Sequence, residues 1–404
     1  MKKVISLLLL ILSSFAYAQA WKTLPKGVRI IGYRNVTTSK IDSNYNQFRS
    51  ASPLGTQFKV DAAALNSMTG NVIVPGQDIN ADAYNKLLVG EYKVDASAQL
   101  GVHGTGFGYG LTDRVTLYAE LAYYNSQVNT NIKRLKGNTY ADVARKLQQN
   151  NGGITDSTVS ENIKNMADIT EHNIQSVITN YYGYRPLGDW YGSGYGDMET
   201  GAMIKAVDQG YWGLLYYPGV VLPTGRQDDP DILQDIAFGD GQFDLFNEFA
   251  TGYIVNDSLR FGTTFRYTYQ APTTKTLRVP ESRDFPLSSQ KGKFDVKYGD
   301  KLNFMVNSTI TINDWISFTP VYRYMRQFSS TYTSEFTAAD SYLSYNSDKY
   351  EHQVQLTTSV SSIQPFLKKQ FILPAQINVN LVDTVAGKNV PKAQRFELEL
   401  RMLF

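Results

Sequence analysis

The C-terminal stretch alternates strictly. From Arg395 to Phe404, the residues Phe396, Leu398, Leu400, Met402 and Phe404 share one face, while Arg395, Glu397, Glu399 and Arg401 share the other, because successive side chains of a strand point to opposite sides. The same period returns upstream. Leu259, Phe261, Phe265, Tyr267 and Tyr269 alternate with Arg260, Thr264, Arg266 and Thr268; Leu302, Phe304, Val306 and Ile310 with Lys301, Asn303 and Thr309; Val354, Leu356 and Val360 with Gln353, Gln355 and Ser359. A polar set with no core beneath it must meet water, and in lipid that water can lie only inside a closed wall. The pattern predicts an all-β fold, a closed antiparallel transmembrane β-barrel.

Connections between these runs alternate between tight and long. Tight turns are read at Leu111-Thr112-Asp113-Arg114, Asp208-Gln209-Gly210, Asn256-Asp257 and Asn313-Asp314, and long connections at about 130–194, 225–241, 271–293, 333–349 and 383–392. Outer-membrane barrels keep short turns in the periplasm and long loops outside, so both termini are expected in the periplasm. The spacing predicts strands near 28–36, 90–109, 114–129, 195–207, 211–224, 242–255, 258–270, 294–312, 315–332, 349–362, 370–382 and 394–404. That makes about 12 strands; a hidden hairpin within 36–90 would make 14. Two stretches do not read as strands: residues 60–90, and 135–180, where Tyr140 to Gln148 and Thr158 to Ile178 carry apolar residues at helical spacing. The second forms a helical extracellular insert at about 130–194, read either as a lid or surface cap, or as a helix folded into the lumen or against a protomer.

Residues 1–20 follow a different logic. Lys2 and Lys3 precede an apolar core from Val4 to Leu12, and small residues close the segment at Ala16, Ala18 and Ala20, the pattern of a signal peptide cleaved after Ala18 or Ala20. About nine apolar residues are too few to cross the roughly 30 Å of a bilayer core as a helix. Removing Lys2 and Lys3 leaves 37 basic residues against 37 acidic ones, so no polybasic nucleic-acid surface is expected. Cysteine is absent, which excludes disulfides and thiolate chemistry. The 28 Tyr, 20 Phe and 31 Gly with 19% charged residues suit a wall with lipid on one side and water on the other.

If the alternation is right, Glu120, Glu199, Lys205, Arg260, Arg266, Glu397 and Glu399 face the lumen, where they either set a transverse field or pair across it and close it. The run Trp212-Gly213-Leu214-Leu215-Tyr216-Tyr217 onward to Leu222 is apolar on both faces. Its inner face either lines an apolar path or packs under the insert, or the strand is partly covered on both sides; in a barrel that encloses lipid, the strand would face trapped lipid or a neighbouring protomer. The acidic stretch Gly225 to Asp235 lacks the spacing of a cation loop and reads as a solvated extracellular loop. Lipid-hydrolysing barrels place His and Ser two apart, but His103, His172 and His352 are followed there by Thr105, Ile174 and Val354. No enzyme, metal or cofactor is expected.

Four strings carry a resemblance: Gly108 to Tyr118, Gly194 to Gly201, Pro223 to Pro230, and Gly239 to Asp244. In this order they resemble the outer-membrane proteins grouped with the phenol-degradation meta-pathway family, over roughly residues 90–404. The resemblance implies a twelve-stranded barrel associated with uptake of hydrophobic or aromatic compounds. The helical insert departs from that pattern. The chain also resembles porin-like outer-membrane proteins of predatory bacteria, which implies an oligomeric barrel enclosing lipid rather than passing a solute. The C-terminal strand resembles the recognition signal of barrel assembly, with Phe404 as its terminal residue. The function expected is passive passage of small, hydrophobic or aromatic solutes, with the lipid-organising oligomer as the alternative. Outer-membrane lipid and the assembly machinery are the partners implied, and a homo-oligomer is left open.

Overall fold

The structure is a computed structural model that describes residues 21–63, 85–149, 163–166, 168–283 and 287–404. The expected signal peptide therefore lies outside the described residues. The chain divides into two compact units, one of residues 1–53, 97–128 and 190–404, the other of residues 54–96 and 129–189.

Twelve antiparallel strands close the barrel: β1 (Arg29–Thr38), β2 (Leu88–Thr112), β3 (Val115–Lys136), β4 (Met198–Asp208), β5 (Trp212–Leu222), β6 (Asp244–Asn256), β7 (Leu259–Gln270), β8 (Lys301–Thr311), β9 (Ile316–Gln327), β10 (Lys349–Ser361), β11 (Ala375–Lys388) and β12 (Gln394–Leu403). Each pairs with its sequence neighbours, and β1 closes the ring against β12 with Tyr33 opposite Leu400. Two further strands sit beside the ring: Trp190–Tyr195 on β3, and Thr56–Asp61 on the first part of β2. The count is twelve, and among the described residues of 36–90 no hairpin joins the ring. Arg29 and Phe404 exchange backbone hydrogen bonds of 2.8 and 3.0 Å, so the barrel begins and ends at the tight-turn end.

Burial is inverted relative to a water-soluble protein. Glu397 and Gln353 are 0% and 1% exposed, whereas Phe261 and Leu356 on the opposite parity are 49% and 47% exposed. Alternation on a closed pleated wall produces this arrangement, and only lipid outside makes it stable. Among the described residues no helix is long and apolar enough to cross a membrane.

The turns owe their shape to local chemistry. Asn256 Oδ1 accepts from the backbone N–H groups of Ser258 and Leu259 at 2.9 and 3.0 Å, and Asn313 Oδ1 from those of Trp315 and Ile316 at 2.9 Å each, the way an Asn side chain mimics a turn. Gly210 takes φ +83° in the β4–β5 turn, a conformation open to glycine without steric cost.

The segment expected as one strand over 294–312 is two. Lys291–Lys297 leaves the ring to pair with Thr273–Arg278 and Thr331–Thr333 in a small sheet, over the apolar residues Val279, Phe294, Val296 and Ala339. The break comes at Gly299, where a Cβ would lie 1.9 Å from the Phe328 carbonyl oxygen. Asp300 then accepts from Lys297 Nζ at 2.6 Å and from the Gln270 N–H at 3.2 Å. The expected strand over 370–382 begins at Ala375 instead and follows a short helix, Ile363–Leu367.

In the second unit the helix Tyr140–Gln149 matches the helical spacing read there. Glu171–Ser176 is capped by Thr170 and Asn173 and continues as a π-helical turn, Val177–Tyr181. Of the expected Thr158 to Ile178 helix, residues 158–162 and 167 lie outside the described residues, and the described part is broken between Asn165 and Thr170 rather than continuous; residues 64–84 also lie outside the described residues. The unit has its own core of Val60, Leu87, Val89, Tyr92, Tyr140, Val143 and Ile163. Arg134 binds Asp168 through two hydrogen bonds of 2.5 Å.

Candidate functional site: the barrel interior and its mouth

The inward parity of β3, β4, β6 and β7 brings charges together. Register sets Glu120 opposite Glu199 and Glu248 opposite Arg266. The Arg266 guanidinium donates to both Glu199 oxygens at 2.9 Å and through Nε to Glu248 at 2.6 Å, lying 4.0 Å over the Phe246 ring. The Tyr118 hydroxyl donates to Glu199 at 3.1 Å. Glu120 is buried beside this pair, so one guanidinium faces three carboxylates.

A second network occupies β1 and β10–β12. Glu397 accepts from Arg34, from Arg395 at 3.3 Å and from Asn380 at 3.1 Å. Glu399 accepts from Arg401 Nε at 2.8 Å and Asn378 at 3.0 Å. Arg395 also reaches Gln353 at 3.1 Å. Buried charges are tolerated only when paired and hydrogen-bonded, and here the carboxylates of Glu199, Glu397 and Glu399 each take two or more donors. Lys205 is half-buried, 3.5 Å from Asp208. Arg260 is half-buried on the face that carries Arg266.

β5 is apolar on both sides for two separate reasons. Trp212, Leu214 and Tyr216 belong to the outer face, where Tyr216 stacks on Phe249 at 5.1 Å. Leu215 and Tyr217 point inward and pack with Tyr118, Phe246 and Trp21. The segment before β1 thus folds into the barrel at its tight-turn end. The Trp21 indole donates to Asp208 at 3.3 Å and lies on Gly213, where a Cβ would come within 2.1 Å of the ring.

The mouth at the long-loop end is built from the glycine- and aspartate-rich strings. The Asp197 carboxylate accepts from the Gly225 and Asp240 N–H groups at 2.8 and 3.1 Å. Cβ atoms at Gly225 and Gly239 would lie 2.7 Å from the other's Cα, so the 223–243 connection closes on itself around Asp197 only with glycine at both positions. It then turns inward. Phe238 stacks on the inward ring of Tyr124 at 5.2 Å, and Arg226 sits 5.0 Å from Phe238 and 5.4 Å from Trp190 while binding Asp235. Asp231 binds Arg278 at 2.6 Å and Lys291 at 2.8 Å. The acidic stretch is therefore not a solvated loop: two of its carboxylates are held by cations of the mouth.

Burial, and after it Asp240, pushes the Asp197 carboxyl up to about 6. A raised acid favours its protonated form in the folded state, so its contribution is full below about pH 4 and is lost as pH rises through about 6. The melting temperature of the wild type relative to Asp197→Asn is expected to fall between pH 4 and pH 7. A difference that stays constant across that window would refute the assignment.

No family model matches the sequence, and no curated protein matches it. Among solved structures the chain is similar to an outer-membrane channel from Pseudomonas putida F1, at 14% identity over 96% of this chain and 98% of that one, with a TM-score of 0.54. The fold is that of an outer-membrane barrel. A toluene transporter of Ralstonia pickettii matches more loosely, at 9% identity over 94% of this chain and 90% of that one with a TM-score of 0.34. So does the translocator domain of an autotransporter from Neisseria meningitidis, at 10% identity over 96% and 92% with 0.37.

Several interior residues escape a reading of the sequence. Arg395 and Arg401 are not among them, since alternation already places them on the polar face with Glu397 and Glu399. Arg34 and Glu248 lie in runs with weaker alternation, and Trp21 lies in no strand. Phe404 is 57% exposed at the tight-turn end.

Proposed function

We propose that this protein is an outer-membrane channel for small hydrophobic or aromatic solutes, with its long connections outside the cell and its tight turns and both barrel ends in the periplasm. The observation that carries this reading is the mouth, where an inward-folded connection packs the buried rings of Phe238 and Tyr124 together and leaves the half-buried Trp190 ring beside Arg226, at the entrance to a charge-paired interior. Aromatic faces hold apolar and aromatic solutes, while an interior whose charges already bind one another offers little to hydrated ions. The four strings resembling the phenol-degradation family point to the same class of compound, and the full-length likeness to a solved channel supports passage rather than anchoring.

Reconstituted protein is expected to show small single-channel conductance and to admit a toluene-like solute into proteoliposomes faster than a sugar of similar size. Phe238→Leu should slow aromatic uptake by about three- to tenfold. Sugar uptake equal to aromatic uptake would defeat this proposal. A stable oligomer with no solute flux would favour the lipid-enclosing alternative.

A further inference from the structure

We propose that the outer wall carries a binding site for the phosphorylated headgroup of a glycolipid in the surrounding outer leaflet. The proposal rests on the orientation given above and not on which solute passes. Outward side chains of β8–β11 are layered. Apolar Val354 and Leu356 lie nearest mid-strand. Above them Phe304, Tyr324 and His352 are successive cross-strand neighbours, and the Tyr322 hydroxyl is 2.6 Å from His352 Nδ1. Above these, at the long-loop end, Arg326 neighbours Tyr350, and Tyr350 neighbours Lys388. The order is apolar, then aromatic, then cationic, which is the order an anionic amphiphile presents from its chains to its headgroup.

A cavity of about 690 Å³ opens where these rows meet the Gln47–Arg49 turn. Arg49 takes φ +67°, a conformation uncommon outside glycine that persists only when its surroundings enforce it. Asn46 enforces it: its side chain accepts from the Phe48 and Ser50 N–H groups at 2.8 and 3.2 Å, and its carbonyl from the Arg49 N–H at 3.0 Å. The turn holds the Arg49 guanidinium 5.8 Å from the Tyr350 ring centroid. Lys388 is answered by Asp348 at 2.6 Å, but among the described residues neither Arg49 nor Arg326 has a carboxylate partner. An aromatic belt is expected on any outer-membrane barrel. Two guanidiniums left without counter-charge around a concave pocket are not, and their planar donor forks match phosphate oxygens. The apolar and aromatic floor, continuous with the lipid-facing wall, selects a lipid phosphate over a free one.

The test uses full-length protein extracted from outer membranes and native mass spectrometry with added diphosphorylated lipid A, its dephosphorylated form, or inorganic phosphate. Wild type should retain lipid A, and the Arg49→Gln/Arg326→Gln protein should bind it roughly 30-fold more weakly, about fivefold per cation. Equal binding of the dephosphorylated lipid, or displacement of lipid A by inorganic phosphate at similar concentration, would overturn the proposal. The orientation is tested separately. The chain has no cysteine, so Phe48→Cys gives a single thiol that a membrane-impermeant maleimide should label in intact cells. Labelling supports the outer-leaflet source; no labelling removes it, whatever the binding shows in detergent.

Discussion

Replacing Arg266 by alanine is expected to lower the stability of the folded barrel by about 3–5 kcal/mol, because it removes the one cation hydrogen-bonded to the buried Glu199 and Glu248 carboxylates among the described residues. Arg266 is 5% exposed and binds Glu199 and Glu248 at once, with Glu120 alongside. Thermal unfolding in detergent, followed by circular dichroism and by heat-modifiable migration, measures the loss. The cause is separable from lost packing. Combining Arg266→Met with Glu199→Gln and Glu248→Gln removes the charges together and should recover most of the stability, since a buried ion pair and a well-packed neutral substitute often balance. The single variant should also prefer cations in planar bilayers, with three carboxylates exposed to the lumen. If Arg266→Ala melts with the wild type, water already screens this cluster and the interior is more open than its hydrogen bonds imply.

Trp21→Ala is expected to cost about 3–5 kcal/mol, the usual range for removing a large buried aromatic side chain. Trp21 is 3% exposed inside the tight-turn end, against Leu215 and Tyr217. Its removal should also raise conductance, because the segment before β1 loses its anchor. Gly213→Ala provides an independent check. Its new Cβ falls where the indole lies, so it should reproduce the Trp21→Ala phenotype without touching Trp21. Trp21→Phe should keep the packing and lose only the bond to Asp208. Wild-type melting and conductance in both Trp21→Ala and Gly213→Ala would show that this segment does not hold the barrel end.

The strands were largely legible because their signal is local. β12 shows its two faces residue by residue, and the Asn256 and Asn313 turns are made by side chains reaching backbone two and three residues on. Residues 294–312 misled because Lys291–Lys297 and β8 both have strand chemistry, and only the close approach at Gly299 parts them. β5 misled for the opposite reason. Its apolar inner face answers Trp21, which no period marks.

What this sequence determines by itself is which side of the wall each strand residue faces, and where the wall turns, since pleat and turn depend on neighbours in the chain. That suffices for a closed twelve-stranded barrel with a polar interior. Its openness is a different matter. Whether Glu199 and Arg266 stay apart as a field or meet as a pair depends on the register of strands joined only through the ring. Likewise the glycine strings become a mouth only when Gly225 and Gly239 close around Asp197. Those distances are set by closure of the barrel and folding of its connections, so the paired interior and the narrowed mouth were decided by tertiary structure alone.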